Sequence, residues 1–369
     1  MLGEESTVLQ RPRDASCLKD FLNVMNAATA SSEDSSQSEE EQEKCKNFEE
    51  SIESMNPMDF KNHFRLRRST AEDLILRFSE SENLSDTDCG GIKHVSCRKS
   101  VYIYLWYVGN TVTYRQLGNL FGVSVSTAWS TVKTVATFLI SIGRDYVSWP
   151  RGVAALDIIN TFERKHKISG IIGAIDCTHI PIKKPQNHGE DYFNRKQRYS
   201  IVLQAVVDAN KKFIEVTCGE PGSLHDYRVL RRSKLYRMAQ SRYEEIFPNS
   251  TFIIGDSAYP STNWIVSPYK NYGNLTDSQK KFNEKHSSAR IVVENAFGLL
   301  KTRFRRLLKF TEQTNLAAIT NIVVSVCILH NICIIKDDLF ENAESNIQNN
   351  DEQQADEEHE LDHGNNRRE

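Results

Sequence analysis

The eight cysteines of this chain include no CxxC pair. That argues against a zinc cluster and a disulfide framework, and for a reducing compartment. No basic N-terminal segment precedes an apolar run, so no signal peptide is expected. The longest apolar stretches, such as IVVSVCIL at 322–329, fall far short of a bilayer span, so no membrane is expected. Internal repeats are lacking, and no Ser/His/Asp or Cys/His arrangement suggests a side-chain nucleophile. Large apolar residues are almost missing from ASSEDSSQSEEEQEK and NNDEQQADEEHELDHGNNRRE. Such segments cannot offset their ordering entropy, so residues 1–56 and 336–369 are expected to be disordered acidic tails.

What is present is segregated charge. The net charge is −3, yet residues 1–50 hold 12 acidic and 5 basic side chains and residues 336–369 hold 12 and 3. The remaining 25 acids and 38 bases leave residues 51–335 with an excess of 13 positive charges. A basic middle of this size suits a polyanion such as DNA, although an ordinary basic surface has the same composition.

Residues 57–150 carry a helical pattern. In TYRQLGNLFGVSVSTAWSTVKTVATFLI, Leu117, Leu120 and Phe121 form one apolar face and Gly122 breaks the helix. Ser124 then caps a second helix bearing Ala128, Val132, Val135, Phe138 and Leu139. Two short helices about a glycine turn predict a helix-turn-helix-like domain. The exposed start of its second helix offers Val125, Ser126, Thr127 and Ser130, with no Arg or Asn to grip a base edge. A structural or dimerising module, and with it a homo-oligomer, stays open beside a sequence reader.

Residues 168–335 change rhythm. GIIGAID (170–176), SIVLQAVVDA (200–209), KFIEVTCG (212–219) and TFIIGDS (251–257) read as short strands, with helices at about 226–246, 287–309 and over AAITNIVVSVCILHNICII. This order predicts an α/β domain, a sheet flanked by helices. Asp176 and Asp256 each close a strand, where open α/β sheets place their sites. Adjacent carboxylates repel and favour a hard cation such as Mg²⁺ or Mn²⁺. Glu294 borders an apolar stripe on RIVVENAFGLLKTRFRR; aimed inward, it supplies a third ligand. Each acid also has a local reading: Asp176 turning with Thr178, Asp256 with Ser257, and Glu294 pairing with Arg290 one turn away.

IDCTHIPIKKP, GSLHDYRVL, GDSAYP and VVENAFGLLKTRF resemble, in order, successive blocks of the PIF/Harbinger DDE transposases and the nucleases derived from them. The resemblance covers about residues 57–335. It implies an RNase H-like nuclease core, two catalytic divalent ions, and a DDE triad on Asp176, Asp256 and Glu294. It further implies phosphodiester cleavage in DNA, with the two ions roughly 3.5–4 Å apart about the scissile phosphate. Asp176 would then bridge both ions. Family members work with a separate Myb-like DNA-binding protein, which implies a nuclear location, shared with the cytoplasm. Ala258 stands where the family often has Gly, and Asn295 where Arg is common; neither change removes a carboxylate. A domesticated DNA-binding or scaffold protein without catalysis is the alternative.

Candidate DNA contacts surround this centre: Lys183, Lys184, Arg195, Lys196, Arg198, Arg228, Arg303 and Arg305. In GSLHD, Asp226 either caps the helix beginning YRVLRR or joins the metal site, with His225 behind it. An adjacent His-Asp is shared with metal-dependent HD phosphohydrolases, but those are all-helical, and strands flank this one.

Overall fold

The computed structural model describes residues 48–81, 95–310 and 315–339. The first helices are α1 (Phe48–Ser54), α2 (Pro57–Phe64), α3 (Arg68–Ser79) and α4 (Cys97–Gly109). Helices α2 and α3 pack against α4, which is buried continuously from Ser100 to Gly109. Helix α1 falls inside the expected N-terminal tail. Phe48 and Ile52 are buried, and the Phe48 ring meets Trp106 and Phe121 edge-on at 5.4 and 5.0 Å. Two apolar residues one turn apart suffice to dock a helix whose three glutamates conceal it in the sequence.

Helices α5 (Tyr114–Phe121) and α6 (Val125–Ser141) form the expected pair. Thr113 and Gln116 make a reciprocal capping box, Gly122 ends α5 in the left-handed region at φ 65°, and Ser124 Oγ accepts from the Thr127 N–H at 3.0 Å. Helix α7 (Gly152–His166) occupies the interval between the two expected domains and buries Ala155, Ile158 and Phe162.

A five-stranded mixed sheet follows, with β1 (Ile171–Pro181), β2 (Ser200–Val207), β3 (Phe213–Pro221), β4 (Phe252–Ile254) and β5 (Ile265–Val266). Its order is β3-β2-β1-β4-β5. The β1–β2 and β2–β3 pairs are antiparallel; β1–β4 and β4–β5 are parallel. Helices α8 (Asp226–Arg232), α9 (Lys234–Ser241) and α10 (Tyr243–Ile246) make the crossover to β4. The 27-residue α11 (Asp277–Arg303) lies on the sheet, burying His286, Ala289, Val293, Ala296, Phe297 and Leu300. This is the RNase H-like α/β arrangement, preceded by a helical region.

The last described helix, α12 (Leu316–Ile335), corrects the membrane expectation as to length: it is apolar enough by length and composition to cross a bilayer. It is instead a core helix, lying between α6 and β3. Asn331 shows the arrangement at one residue. Its Nδ2 donates to Tyr146 O at 2.9 Å and Phe213 O at 2.7 Å, while its Oδ1 accepts from Phe213 N–H at 2.9 Å. Just beyond, the buried Asp338 Oδ2 accepts from Arg67 N–H and Thr70 Oγ1 at 2.6 and 2.8 Å. The apolar core therefore runs unbroken from the helical region into one face of the sheet. Residues 168–335 produced alone, with α12 stripped of α6, should aggregate or melt without a cooperative transition. A sharp thermal unfolding curve from that fragment would contradict the shared core.

Glu215 on β3 is a cost carried inside the sheet. One of its oxygens accepts from Thr217 Oγ1 at 2.9 Å, the other has no hydrogen-bond partner, and burial raises its pKa to about 7. A carboxyl whose folded pKa lies above its unfolded value stabilises below the unfolded value, and that contribution is lost as pH rises through about 7. Glu215→Gln should therefore stabilise the protein by about 2 kcal/mol at pH 8 and by little near pH 4, read by denaturant titration. An equal gain at both pH values would refute the ionisation argument.

Candidate active site

Three aspartates converge beside the middle of β1, just past the C-terminal end of β4. Asp176 lies on β1, Asp226 opens α8, and Asp256 follows β4, with one carboxylate oxygen from each within 4.8 Å of the others. Parallel pairing of β1 with β4 brings the first and third together. The second arrives through GSLHD, whose Gly222 lets the chain close over β2. Its N–H donates to Ser200 O at 2.9 Å, and a Cβ there would sit 2.6 Å from that same oxygen.

One buried amide ties the three segments. Gln204, opposite Cys177 in the β1–β2 register, donates from Nε2 to Asp226 O at 3.2 Å, Tyr259 Oη at 3.2 Å and Cys177 Sγ at 3.3 Å. Cys177 adjoins Asp176, and the Tyr259 N–H donates to Asp256 O at 3.2 Å. Gln204 was invisible in the sequence, where it reads as one polar residue in a strand.

Local bonds and the cluster coexist, but the partners are Cys177 and Ala258 and not the expected Thr178 and Ser257. Asp176 Oδ1 accepts from the Cys177 N–H at 2.7 Å, and Asp256 Oδ1 from the Ala258 N–H at 3.0 Å. Burial raises Asp176 to about 7, and the neighbouring Asp256 and Asp226 add to the shift against Arg290 and the Cys177 N–H. Asp226 is raised too, first by burial and then by Asp256. The exposed His225 precedes Asp226 and opposes that shift with its charge.

Glu294 does not join these three. Its side chain is 44% exposed and pairs with Arg290 Nη2 at 2.5 Å, while Arg290 Nη1 reaches Asp176 Oδ2 at 3.3 Å. The expectation of an inward-pointing ligand is thus replaced by the i,i+4 pair, with one guanidinium spanning Glu294 and Asp176. The apolar stripe beside Glu294 turns Val293, Ala296 and Phe297 into the core and leaves position 294 at its edge.

Of the expected DNA contacts, Lys183, Arg195, Lys196, Arg198, Arg228 and Arg305 are exposed. Arg195 acts electrostatically on both Asp226 and His179, and Lys196 on His179 and Lys301, so these two flank the centre. Exposed Lys184 pairs with Glu190 at 2.5 Å. Arg303 is a correction: it is buried, and its Nη2 donates to Asp338 O at 2.5 Å, so it braces the fold. Arg306 is likewise buried over the Tyr107 ring, at 4.1 Å from its centroid. A basic run at a helix end does not reveal which members turn inward.

Lys301 was missed. Two turns beyond Glu294 and on the same helical face, its Nζ donates to Thr178 Oγ1 at 2.6 Å and to His179 O at 3.1 Å. Burial, and then Lys196, lowers it to about 8. The seven-residue spacing from Glu294 was the available signal.

Residues 175–331 match the family described as DDE superfamily endonuclease. An ALP1-like protein of Arabidopsis thaliana is 29% identical over 77% of this chain and 73% of its own length. The Antagonist of Like Heterochromatin Protein 1 of the same plant is 26% identical over 78% of this chain and 76% of its own. The HARBI1 protein of Rattus norvegicus, whose name presents it as a candidate nuclease, is 29% identical over 59% of this chain and 62% of its own length. No solved structure matches the chain.

Proposed function

The chain is a member of the Harbinger-derived DDE nuclease family, and from that premise we propose that it cleaves DNA phosphodiester bonds at Asp176, Asp226 and Asp256 with divalent metal. The observation that carries this reading is the convergence of three carboxylates within 4.8 Å from three separate segments. Their oxygen-only donor set suits Mg²⁺ or Mn²⁺, and Asp176 and Asp226, raised first by burial and then by their acidic neighbours, are groups whose charged form a cation would favour. When bound, two such ions supply positive charge at the scissile phosphate and acidify the attacking water.

The chain's own groups do the holding. Asp176 is grouped with Asp226 and Asp256 and also meets Arg290, the partner of Glu294. Glu294, the triad position that the family resemblance implies, enters the centre when Arg290 releases it. Arg290 then has a free guanidinium beside the acids for a DNA phosphate. Arg195 and Lys196 at the rim add sequence-independent attraction. Outside the centre, the start of α6 exposes Val125, Ser126 and Ser130 and no cationic base reader. This fits the proposal that the protein acts with a Myb-like DNA-binding partner, and a sharp motif selected by the isolated protein would contradict such a partnership.

Purified protein incubated with supercoiled plasmid and Mn²⁺ should nick it, and Asp176→Ala should not. Binding should weaken steeply with salt. A second reading, a catalytically silent DNA-bound scaffold, is favoured by Arg290, whose one guanidinium already engages both Asp176 and Glu294. Salt-sensitive binding without nicking would establish that reading instead.

A further inference from the structure

Beside the acidic centre lies a second, differently built feature: an open cleft of about 770 Å³. Its lining starts where the centre ends, for Tyr227 follows Asp226, and Ser257, Ala258 and Tyr259 follow Asp256. Beyond these, Tyr269 and Phe282 meet edge-on with ring centroids 5.4 Å apart. The lining includes Lys270 and no carboxylate.

The cleft is preformed. Tyr269 is 50% exposed, yet Asn283 holds its backbone twice: the Tyr269 N–H donates to Asn283 Oδ1, and its carbonyl accepts from Asn283 Nδ2, both at 2.9 Å. A large ring held toward water on an immobilised backbone loses little freedom on meeting a ligand. Phe282 leans on His286 at 5.8 Å, and His286 Nε2 lies 3.0 Å from Val266 O. Across the cleft, Ser267 Oγ donates to Tyr259 O at 2.6 Å and the Ser267 N–H to Ser261 Oγ at 3.2 Å. Aromatic faces, a few hydroxyls and a volume within the roughly 300–1,000 Å³ of small-molecule sites describe a pocket for one flat polar ring system.

We propose that this cleft receives an unstacked nucleobase of the DNA strand whose phosphate lies at the three aspartates, with the base stacked on Tyr269. The proposal rests on the nuclease reading, which places that phosphate. A strand passing over Asp226 and Asp256 meets the cleft at the very next residues of both segments, so a neighbouring base is within reach without leaving the protein surface. Extruding a base leaves it needing a π-face, and Tyr269 provides one that accepts any base. Lys270 is placed for the adjoining phosphate.

The test uses the full chain in Ca²⁺, with a short single strand carrying one 2-aminopurine, and the same strand fully paired. Single-strand binding should quench the probe. Tyr269→Ala should abolish quenching and weaken single-strand binding by roughly 5- to 150-fold, the range of base–aromatic stacking. It should weaken duplex affinity far less, because a paired base must first be extruded, and Tyr269→Phe, which keeps the ring, should restore both signals. The proposal falls if Tyr269→Ala quenches and binds like wild type, if it loses duplex binding equally, or if Tyr269→Phe fails to restore. Plasmid nicking with Mn²⁺, read in parallel, separates the two readings. Nicking with an unaffected Tyr269→Ala removes the cleft and keeps the nuclease; quenching without nicking keeps the cleft and removes the nuclease.

Discussion

Asp176→Asn should lower Mn²⁺-dependent plasmid nicking by at least about a thousandfold while raising stability in metal-free buffer at pH 8. The two effects have one origin. Burial and two neighbouring aspartates hold the Asp176 carboxyl at about 7, so at pH 8 folding forces an ionisation that the surroundings oppose. The stabilising contribution of a raised carboxyl is complete below its unfolded pKa and is lost as pH rises through the folded value. Asparagine removes that loss, a gain of about 2 kcal/mol at pH 8. Millimolar Mn²⁺ should reverse the order of melting temperatures, because a ligand held by the folded state alone adds stability by mass action. A variant that is no more stable than wild type without metal, or that still nicks, would break the link between the cluster and the chemistry.

The second large effect separates Glu294 from Asp226. Glu294→Gln should reduce nicking by orders of magnitude under the proposed function, in which it fills the triad position that the resemblance implies, yet alter metal-free stability by at most about 0.5 kcal/mol. That bound follows from its partner: a half-exposed i,i+4 pair with Arg290 contributes little to folding. Asp226→Asn should also stop nicking, but it should in addition shrink the Mn²⁺-induced rise in melting temperature, since its oxygen is already beside those of Asp176 and Asp256. Wild-type nicking by Glu294→Gln would leave a centre of three aspartates, with Glu294 only a partner for Arg290.

Much of this arrangement was legible from the residues. Apolar runs ending in Asp176 and Asp256 located two strands, because strand identity is written locally. Asp256 does follow the end of β4, but β1 runs on to Pro181, so Asp176 lies in mid-strand and not at the expected strand end. The cap at Ser124 and the break at Gly122 were equally local. What escaped depended on distance. Asp226 enters the cluster only because Gly222 folds its loop over β2, and Gln204 matters only through a register partner and two loops. Strand β5 has two residues, too short for any periodicity to declare it. Glu294 and Arg303 were placed on the right helix but on the wrong side of its boundary between core and solvent. One residue of helical phase decides that boundary, and the sequence leaves it ambiguous where charged residues flank an apolar stripe.

The position of α12 has a consequence for the order of events during synthesis. The helical region is made first, but the element that covers α6 and β3 together is the last described helix of the chain. On the ribosome, therefore, nearly all of the protein must emerge before either half can close its apolar surface. The N-terminal helices must wait, partly uncovered, through translation of the whole sheet, and chaperones have that interval in which to act. A stop codon anywhere before Asn331 would release both halves unfinished at once, so shortened products of this gene should be cleared rather than persist as free DNA-binding or nuclease fragments.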